Sequence, residues 1–259
     1  MKYNFGLIGH QISYSISPII HEQVALVLHK DISYKLFDVD KKDLASLIMR
    51  MKKNEFQGFN VTKPYKEDLL DYVDVFSDVA KEIKAVNTIY YQNNKVFADN
   101  TDVFGFAYLL DYYQIDVKSK RILILGTGGA SKAISYVLKQ RGAYYHYASR
   151  DALKSMDQKV VSYKNINPND YDIYINATPI GNYPNVNECI LKKSQVTNQI
   201  VIDLIYRPKV TQLMTYAKKA YNGYIMLLAQ AIKSDMLWLG EDLPIHDILD
   251  QIKEVIDYE

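Results

Sequence analysis

Cysteine is almost missing from this sequence. Cys189 stands alone, so an intrachain disulfide cannot form and a thiolate zinc site is excluded. That usage fits a reducing, cytoplasmic setting. Long apolar runs are missing too. None approaches the roughly 18–20 residues of a membrane-spanning helix, and the short apolar stretch at 5–8 reads as a strand rather than a signal peptide. Neither sign of charge is in excess: 31 Lys and Arg against 30 Asp and Glu leave a formal net charge of +1. This gives no electrostatic case for nucleic acid or for a membrane surface as partner. Trp238 is the only tryptophan, whereas tyrosine occurs 23 times. The tyrosines do not interleave with basic residues, so they are read as packing and surface filler rather than a base-stacking platform. The histidines, His10, His21, His29, His146 and His246, show no ligand spacing; they are read as surface or helix residues, and no metal is expected.

What is present is an ordinary globular composition of 259 residues, enough for one large domain or two modest ones. Short apolar runs alternate with amphipathic stretches. Strands are expected at 5–8, 34–39 and 58–61, and helices at 19–29 and 44–51. Two acidic helical segments come next. A hairpin follows, with strands at 88–91 and 95–98 about Asn93-Asn94. Such alternation predicts an α/β layer structure with a largely parallel sheet. A second α/β unit begins with the nearly pure apolar Arg121-Ile122-Leu123-Ile124-Leu125, which reads as a central parallel strand. Further strands are expected at 143–148, 171–176 and 200–203, with helices at 131–141, 226–240 and 245–256. The boundary is placed at the helical stretch 104–113.

Gly126-Thr127-Gly128-Gly129-Ala130 lies between that strand and a helix. Glycines there let backbone N–H groups approach a pyrophosphate, and the helix N-terminus adds a complementary potential. The strand-turn-helix context separates the motif from a merely structural turn. Cofactor choice is made at the end of the next strand. An acid there suits the ribose hydroxyls of NAD, whereas Ser149 and Arg150, with Lys154 one turn later, suit the 2′-phosphate of NADP. Asp151 argues partly the other way.

Three polar clusters stand in the first half. In Ser13-Tyr14-Ser15-Ile16-Ser17-Pro18, Ser17 and Pro18 make an ordinary helix start with Ser17 as N-cap. Ser15 and Ser17, two residues apart beside a helix N-terminus, also make a carboxylate site. Asn60-Val61-Thr62-Lys63-Pro64-Tyr65-Lys66 and Ala98-Asp99-Asn100-Thr101-Asp102 both sit where a strand ends and a helix begins. Open α/β sheets build ligand sites at such strand ends. By composition alone either lysine is a solvated surface residue, and Asp102 is an N-cap.

Taken in order, these motifs resemble the shikimate dehydrogenase family along almost the whole chain. They continue with Ala85-Val86-Asn87-Thr88, Asn176-Ala177-Thr178-Pro179-Ile180-Gly181, Asp203-Leu204-Ile205-Tyr206 and the segment 223–231. The resemblance implies two α/β domains with a cleft between them. The first is a substrate domain with a mostly parallel sheet, 1–103, completed by C-terminal helices 231–259; the second is a Rossmann-type NADP-binding domain, 104–230. It implies that Ser15 and Ser17 hold the carboxylate of shikimate, and that Thr62, Asn87, Asp102, Tyr206 and Gln230 bind its ring substituents. Lys66 matches the family's catalytic lysine and Asp102 its partner. Gly126, Thr127, Gly128, Gly129, Ala130, Ser149, Arg150 and Lys154 match the NADP(H) site, and Thr178, Leu204 and Gly223 lie along the cofactor path.

The chain departs from the family pattern at His10-Gln11, at Tyr14, at Ser149-Arg150-Asp151 and at Lys63, often apolar in the family and assigned here to the surface. The implied activity is reversible, NADP-dependent reduction of 3-dehydroshikimate to shikimate in aromatic amino acid biosynthesis, by a monomer or homodimer. A quinate/shikimate dehydrogenase using NAD is the nearest rival. A non-catalytic nucleotide sensor on the same fold is another, against which the retention of both Lys66 and Asp102 speaks.

Overall fold

The structure, a computed structural model, describes residues 2–150 and 160–256. In chain order its elements are β1 (Lys2–Gly9), α1 (Ser17–Val27), β2 (Asp31–Asp38), α2 (Leu44–Lys52), β3 (Gly58–Val61), β4 (Val75–Phe76), α3 (Asp78–Ile83), β5 (Thr88–Gln92), β6 (Lys95–Asp99) and α4 (Thr101–Tyr112). There follow β7 (Arg121–Leu125), α5 (Gly129–Gln140), β8 (Tyr144–Ser149), β9 (Val160–Ser162), β10 (Ile173–Asn176), β11 (Ile200–Asp203), β12 (Lys219–Asn222), α6 (Tyr224–Leu239) and α7 (Ile245–Ile252). They form two compact units, one running to Gly105 and resuming at Leu227, the other Phe106–Met226. The chain passes from one unit to the other within α4 and again within α6.

The first unit holds a six-stranded sheet in the order β2-β1-β3-β5-β6-β4. Strands β2, β1 and β3 are parallel, and β5 reverses direction against β3. The hairpin expected at Asn93-Asn94 joins β5 to β6, and both asparagines take the positive φ such a turn requires, 50° and 59°. Alternation along β1 sends Phe5 and Leu7 to one face and Ile8 to the other. Ile8 joins Phe59 and the α2 residues Leu44, Leu47, Ile48 and Met51 in one core cluster. Phe5 and Leu7 join Tyr34 and Trp238 in another. The Trp238 ring stacks on Phe5 at 4.4 Å between centroids and its indole N–H donates to the Ile89 carbonyl, 3.2 Å. One aromatic side chain thus fixes the height and rotation of α6 on the sheet.

The second unit is a six-stranded, wholly parallel sheet in the order β12-β11-β10-β7-β8-β9. Ile122, Leu123, Ile124 and Leu125 are fully buried, as befits a strand covered on both faces. The short strands β4, β9 and β12, all at sheet edges, carry no period strong enough to be read from sequence. Of the two acidic segments expected as helices, the first is a 3-10 helix at Asp68–Tyr72 and the second is α3. Among the described residues no helix is long and apolar enough to cross a membrane, and no group of His, Cys, Asp or Glu is arranged to hold a metal ion.

Candidate active site

The polar clusters of the first unit gather at one end of its sheet. The Val61 amide donates to the Asn87 carbonyl at 2.7 Å, the Asn87 amide to Asp99 at 3.1 Å, and the Val86 amide to the Lys66 carbonyl at 2.8 Å. Backbone hydrogen bonds therefore carry the register of the sheet into the loops that hold Lys66, Asn87 and Asp102. The Lys66 ammonium donates to Asp102 Oδ2 at 2.5 Å, with 18% and 12% of the two side chains exposed. A hydrogen bond between two charged groups is stronger than one between neutral groups. It leaves the ammonium accessible at a largely desolvated site.

Behind the pair stands Asn87, buried. Its Nδ2 donates to Asp102 Oδ1 at 2.9 Å and to Thr101 Oγ1 at 3.0 Å, while its Oδ1 accepts the Thr101 backbone N–H at 2.7 Å. A backbone N–H can only donate, so it fixes which way round this amide stands. Asn87, expected to touch ring substituents, holds the Asp102 carboxylate with its amide.

The serine pair departs from the simple helix start. Helix α1 begins at Ser17 with Pro18 in its first turn, and Ile16 is the capping residue without a side-chain cap bond. Ser17 is therefore not the N-cap. Its Oγ instead lies 3.1 Å from that of Ser15, which also accepts the Ser17 N–H at 3.3 Å. Two half-buried hydroxyls stand together at the helix N-terminus, as a carboxylate site requires. Thr62 is half-buried just beyond β3, and Lys63 is exposed with its ammonium 5.7 Å over the Tyr14 ring. Gln230, half-buried on α6, lies two turns before Trp238.

Several residues of this neighbourhood were not singled out from sequence. Ser234, one turn after Gln230, is fully buried and touches Asn60, Thr88 and Thr101. Its polar spacing at i+4 from Gln230 was the available signal. His21 is also fully buried; its Nδ1 lies 2.9 Å from both oxygens of the buried Asp235, and its ring stacks on Tyr34 at 4.2 Å. Burial raises the Asp235 carboxyl above its ordinary range, and the His21 imidazole offsets part of that rise.

In the second unit every expected cofactor residue among those described follows the carboxyl end of a strand. Gly126 follows β7, Ser149 closes β8, Thr178 follows β10, Leu204 follows β11 and Gly223 follows β12. Gly126 has φ +104°, and a Cβ there would stand 2.8 Å from Thr178 Cγ2, so both conformation and space demand glycine. The loop is closed by Ser131 Oγ donating to the Gly126 carbonyl at 2.9 Å. Gly128 is exposed at the N-cap of α5 with no atom near its missing side chain, while Gly129 and Ala130 open the helix. A Cβ on Gly223 would overlap the Leu204 carbonyl. Arg150 is exposed directly after Ser149, and Tyr206 is half-buried beyond Leu204. Lys154 and Asp151 lie outside the described residues. An open glycine turn at a twelve-residue helix, with a guanidinium one strand away, fits a dinucleotide carrying an extra phosphate.

Beneath this edge Asn176 organises the loops. Its Oδ1 accepts from the Thr178 N–H and Oγ1, at 3.0 and 2.7 Å, and its Nδ2 donates to Asp203 at 2.9 Å. Asp203 also accepts from Thr211 Oγ1 at 2.7 Å and the Ile205 N–H at 3.1 Å. Burial nevertheless pushes its carboxyl up to about 6, these donors offsetting only part of the desolvation.

The sequence relationships agree with this geometry. Residues 7–89 match the family model for the shikimate dehydrogenase substrate binding domain. The chain is 38% identical over 245 residues to a shikimate dehydrogenase (NADP(+)) of Clostridium beijerinckii, covering 90% of this chain and 91% of that one. Shikimate dehydrogenase 1 of Peptoclostridium difficile superposes with a TM-score of 0.88 at 38% identity, covering 98% and 97% of the two chains. The Thermus thermophilus enzyme, solved in complex with NADP(H) and shikimate, superposes with a TM-score of 0.85 at 27% identity, covering 98% of this chain and all of that one. The chain belongs to the shikimate dehydrogenase family.

Proposed function

We propose that this protein is an NADP-dependent shikimate dehydrogenase that interconverts 3-dehydroshikimate and shikimate, a step in making aromatic amino acids. The observation that carries the reading is the Lys66–Asp102 contact backed by Asn87, in the unit that matches the family's substrate binding domain. When bound, NADP supplies or accepts a hydride at its nicotinamide. The protein's own task is to hold the substrate and manage the proton. Ser15 and Ser17 hold the ring carboxylate, with Thr62, Asn87, Tyr206 and Gln230 on the remaining oxygens. The Lys66 ammonium donates a proton to the oxygen at ring position 3 as the ketone is reduced, and accepts it in reverse. Asp102 holds that ammonium in place and accepts from a neighbouring ring hydroxyl. Gly126, Thr127, Gly128, Gly129 and Ala130 would cradle the cofactor's pyrophosphate, Ser149, Arg150 and Lys154 its 2′-phosphate, while Thr178, Leu204 and Gly223 would lie along the path from adenosine to nicotinamide.

The test is a spectrophotometric assay at the reduced-nicotinamide band with four pairings of shikimate or quinate and NADP or NAD. Shikimate with NADP is expected to give the highest kcat/KM. A preference for quinate with NAD would overturn the substrate and cofactor assignment, and no turnover with any pair would overturn the reading as a dehydrogenase.

A further inference from the structure

His21 and Asp235 form a fully buried polar pair that the proposed proton transfer does not use. His21 stands on α1 one turn after Ser17, and Asp235 stands on α6 five residues after Gln230. The imidazole Nδ1 lies 2.9 Å from each carboxylate oxygen, so the contact is directional whichever group holds the proton. Such a pair is a poor source of stability. Burial raises the Asp235 carboxyl, and Nε2 of the same ring has no partner among the described residues. The desolvation of two such groups can outweigh their attraction, and well-packed apolar side chains often replace a buried pair without loss. What the pair supplies instead is register, because apolar contact has no direction of its own.

Helix α1 depends on such a contact. It has eleven residues and no side-chain bond at its N-cap, and besides His21 it buries only the apolar Ile20, Val24 and Ala25. Helix α6, by contrast, is fixed on the sheet by Trp238, one turn after Asp235, through Phe5 and the Ile89 carbonyl. The His21–Asp235 contact ties the first helix to this fixed one. The His21 ring is held in turn by stacking on Tyr34 at 4.2 Å and 9°, and the Tyr34 hydroxyl donates to Asn60 Oδ1 at 2.9 Å. Four residues are about 6 Å of helix, so a slip of α1 at His21 is passed on to Ser17.

We infer that His21 and Asp235 are positioning residues for the carboxylate site: the pair locks α1 against α6 at the height that sets Ser17, with Ser15 beside it, for the ring carboxylate. The inference rests on the serines holding that carboxylate, as proposed above. Lys66 and Asp102 stand on other elements, so the pair governs substrate affinity and leaves proton transfer alone.

The experiment is steady-state kinetics beside thermal melts on three changes. His21→Phe/Asp235→Leu replaces the pair by apolar side chains, Asp235→Asn keeps an acceptor oxygen for Nδ1, and Ser17→Ala is made with and without the double exchange. The apolar double variant is expected to melt no lower than wild type, yet to raise KM for shikimate about 5- to 30-fold, part of the worth of one charge-assisted hydrogen bond. It should leave kcat within about threefold and KM for NADP unchanged. Asp235→Asn should keep KM for shikimate within about twofold of wild type. Ser17→Ala should raise KM by itself, and the double exchange should then add little. Should the double variant not fold, Asp235→Leu alone, which leaves the His21 ring on Tyr34, is expected to raise KM over the same range. A wild-type KM in the folded apolar variant, or the full rise repeated in the Ser17→Ala background, overturns the positioning role. A wild-type KM for Ser17→Ala overturns the carboxylate assignment and the inference with it, while turnover of shikimate by the wild type still supports the dehydrogenase reading.

Discussion

Replacing Lys66 by Ala tests the proton-transfer assignment most directly. General acid–base groups contribute roughly 10²- to 10⁴-fold, or about 3–5 kcal/mol of barrier. The loss should therefore appear in kcat, with KM for shikimate little changed, because on the proposed reading Ser15, Ser17 and Gln230 still hold the substrate. Stability must be followed alongside. Lys66→Ala leaves the Asp102 carboxylate with the Asn87 donor at 2.9 Å. Breaking a fully buried pair costs about 3–5 kcal/mol, but these side chains keep 18% and 12% of their exposure, so about 1–3 kcal/mol is expected. That lowers Tm by about 2–12 °C in a chain of this size and leaves the variant folded at 25 °C. The assay is initial-rate absorbance at the reduced-nicotinamide band over a shikimate titration, beside a melt of the same sample. Asp102→Asn adds an internal check. Asn87 Nδ2 would claim the new carboxamide oxygen, turning the new NH₂ against the Lys66 ammonium, donor against donor. Its kcat should fall although lysine is retained. Near-normal kcat in folded Lys66→Ala would remove Lys66 from the chemistry.

Three further outcomes follow from the second unit. Arg150→Ala should raise KM for NADP about 10- to 100-fold while changing KM for NAD little, since a charge-assisted bond to a dianion is lost only with the former; equal effects on both cofactors refute the 2′-phosphate role. Gly126→Ala should weaken NADP binding at least tenfold in a fluorescence titration, because φ +104° and the 2.8 Å approach to Thr178 force the turn to move; wild-type affinity would show that the turn does not bear on the cofactor. Asp203 gives a pH signature. With its carboxyl raised from 3.8 to about 6, the folded chain keeps a proton that the unfolded chain has released, so stability falls as pH rises through that window. The two-unit difference corresponds to at most about 3 kcal/mol. The neutral Asp203→Asn should melt higher than wild type at pH 8 and lose that advantage at pH 4, whereas an equal offset at both pH values refutes the burial argument.

What could be read from the sequence divides by the range of the interactions. The buried strand at Arg121–Leu125 and its glycine turn were legible because they are local: an apolar run, then residues that only a tight turn before a helix explains. The Asn93-Asn94 hairpin was legible for the same reason. The Lys66–Asp102 pairing was reachable only through the family resemblance, because 36 residues separate the partners and each alone reads as a surface lysine or a helix cap. His21 shows the limit. It was read as a surface or helix residue and does lie in α1, but it is fully buried against Asp235, 214 positions away, and nothing local to either residue announces the other. Ser17 was misread in detail, since an ordinary Ser-Pro helix start does not say whether the hydroxyl caps the helix or turns to Ser15.

The direction of β5 explains why the separate clusters meet. In an all-parallel sheet only carboxyl ends of strands share an edge, and a loop entering a strand opens at the other side. Here β1 and β3 are parallel, so the segments after Gly9 and after Val61 leave at the same end and bring out Ser15, Ser17 and Lys66. Strand β5 runs against β3, with Asn60 opposite Thr88, so its amino end lies at that edge and Asn87 arrives with it. Strand β6 runs against β5, with Thr88 opposite Asp99, and delivers Thr101 and Asp102 at the same place. The hairpin thus adds an incoming strand end between two outgoing ones. An asparagine at that end can reach both the carboxylate and the backbone N–H at the start of α4, a geometry that an outgoing loop, sprung away from the sheet, would have to recreate without a register to hold it. The mixed sheet follows from this need: one reversed strand supplies the rigid support on which the Lys66–Asp102 contact stands.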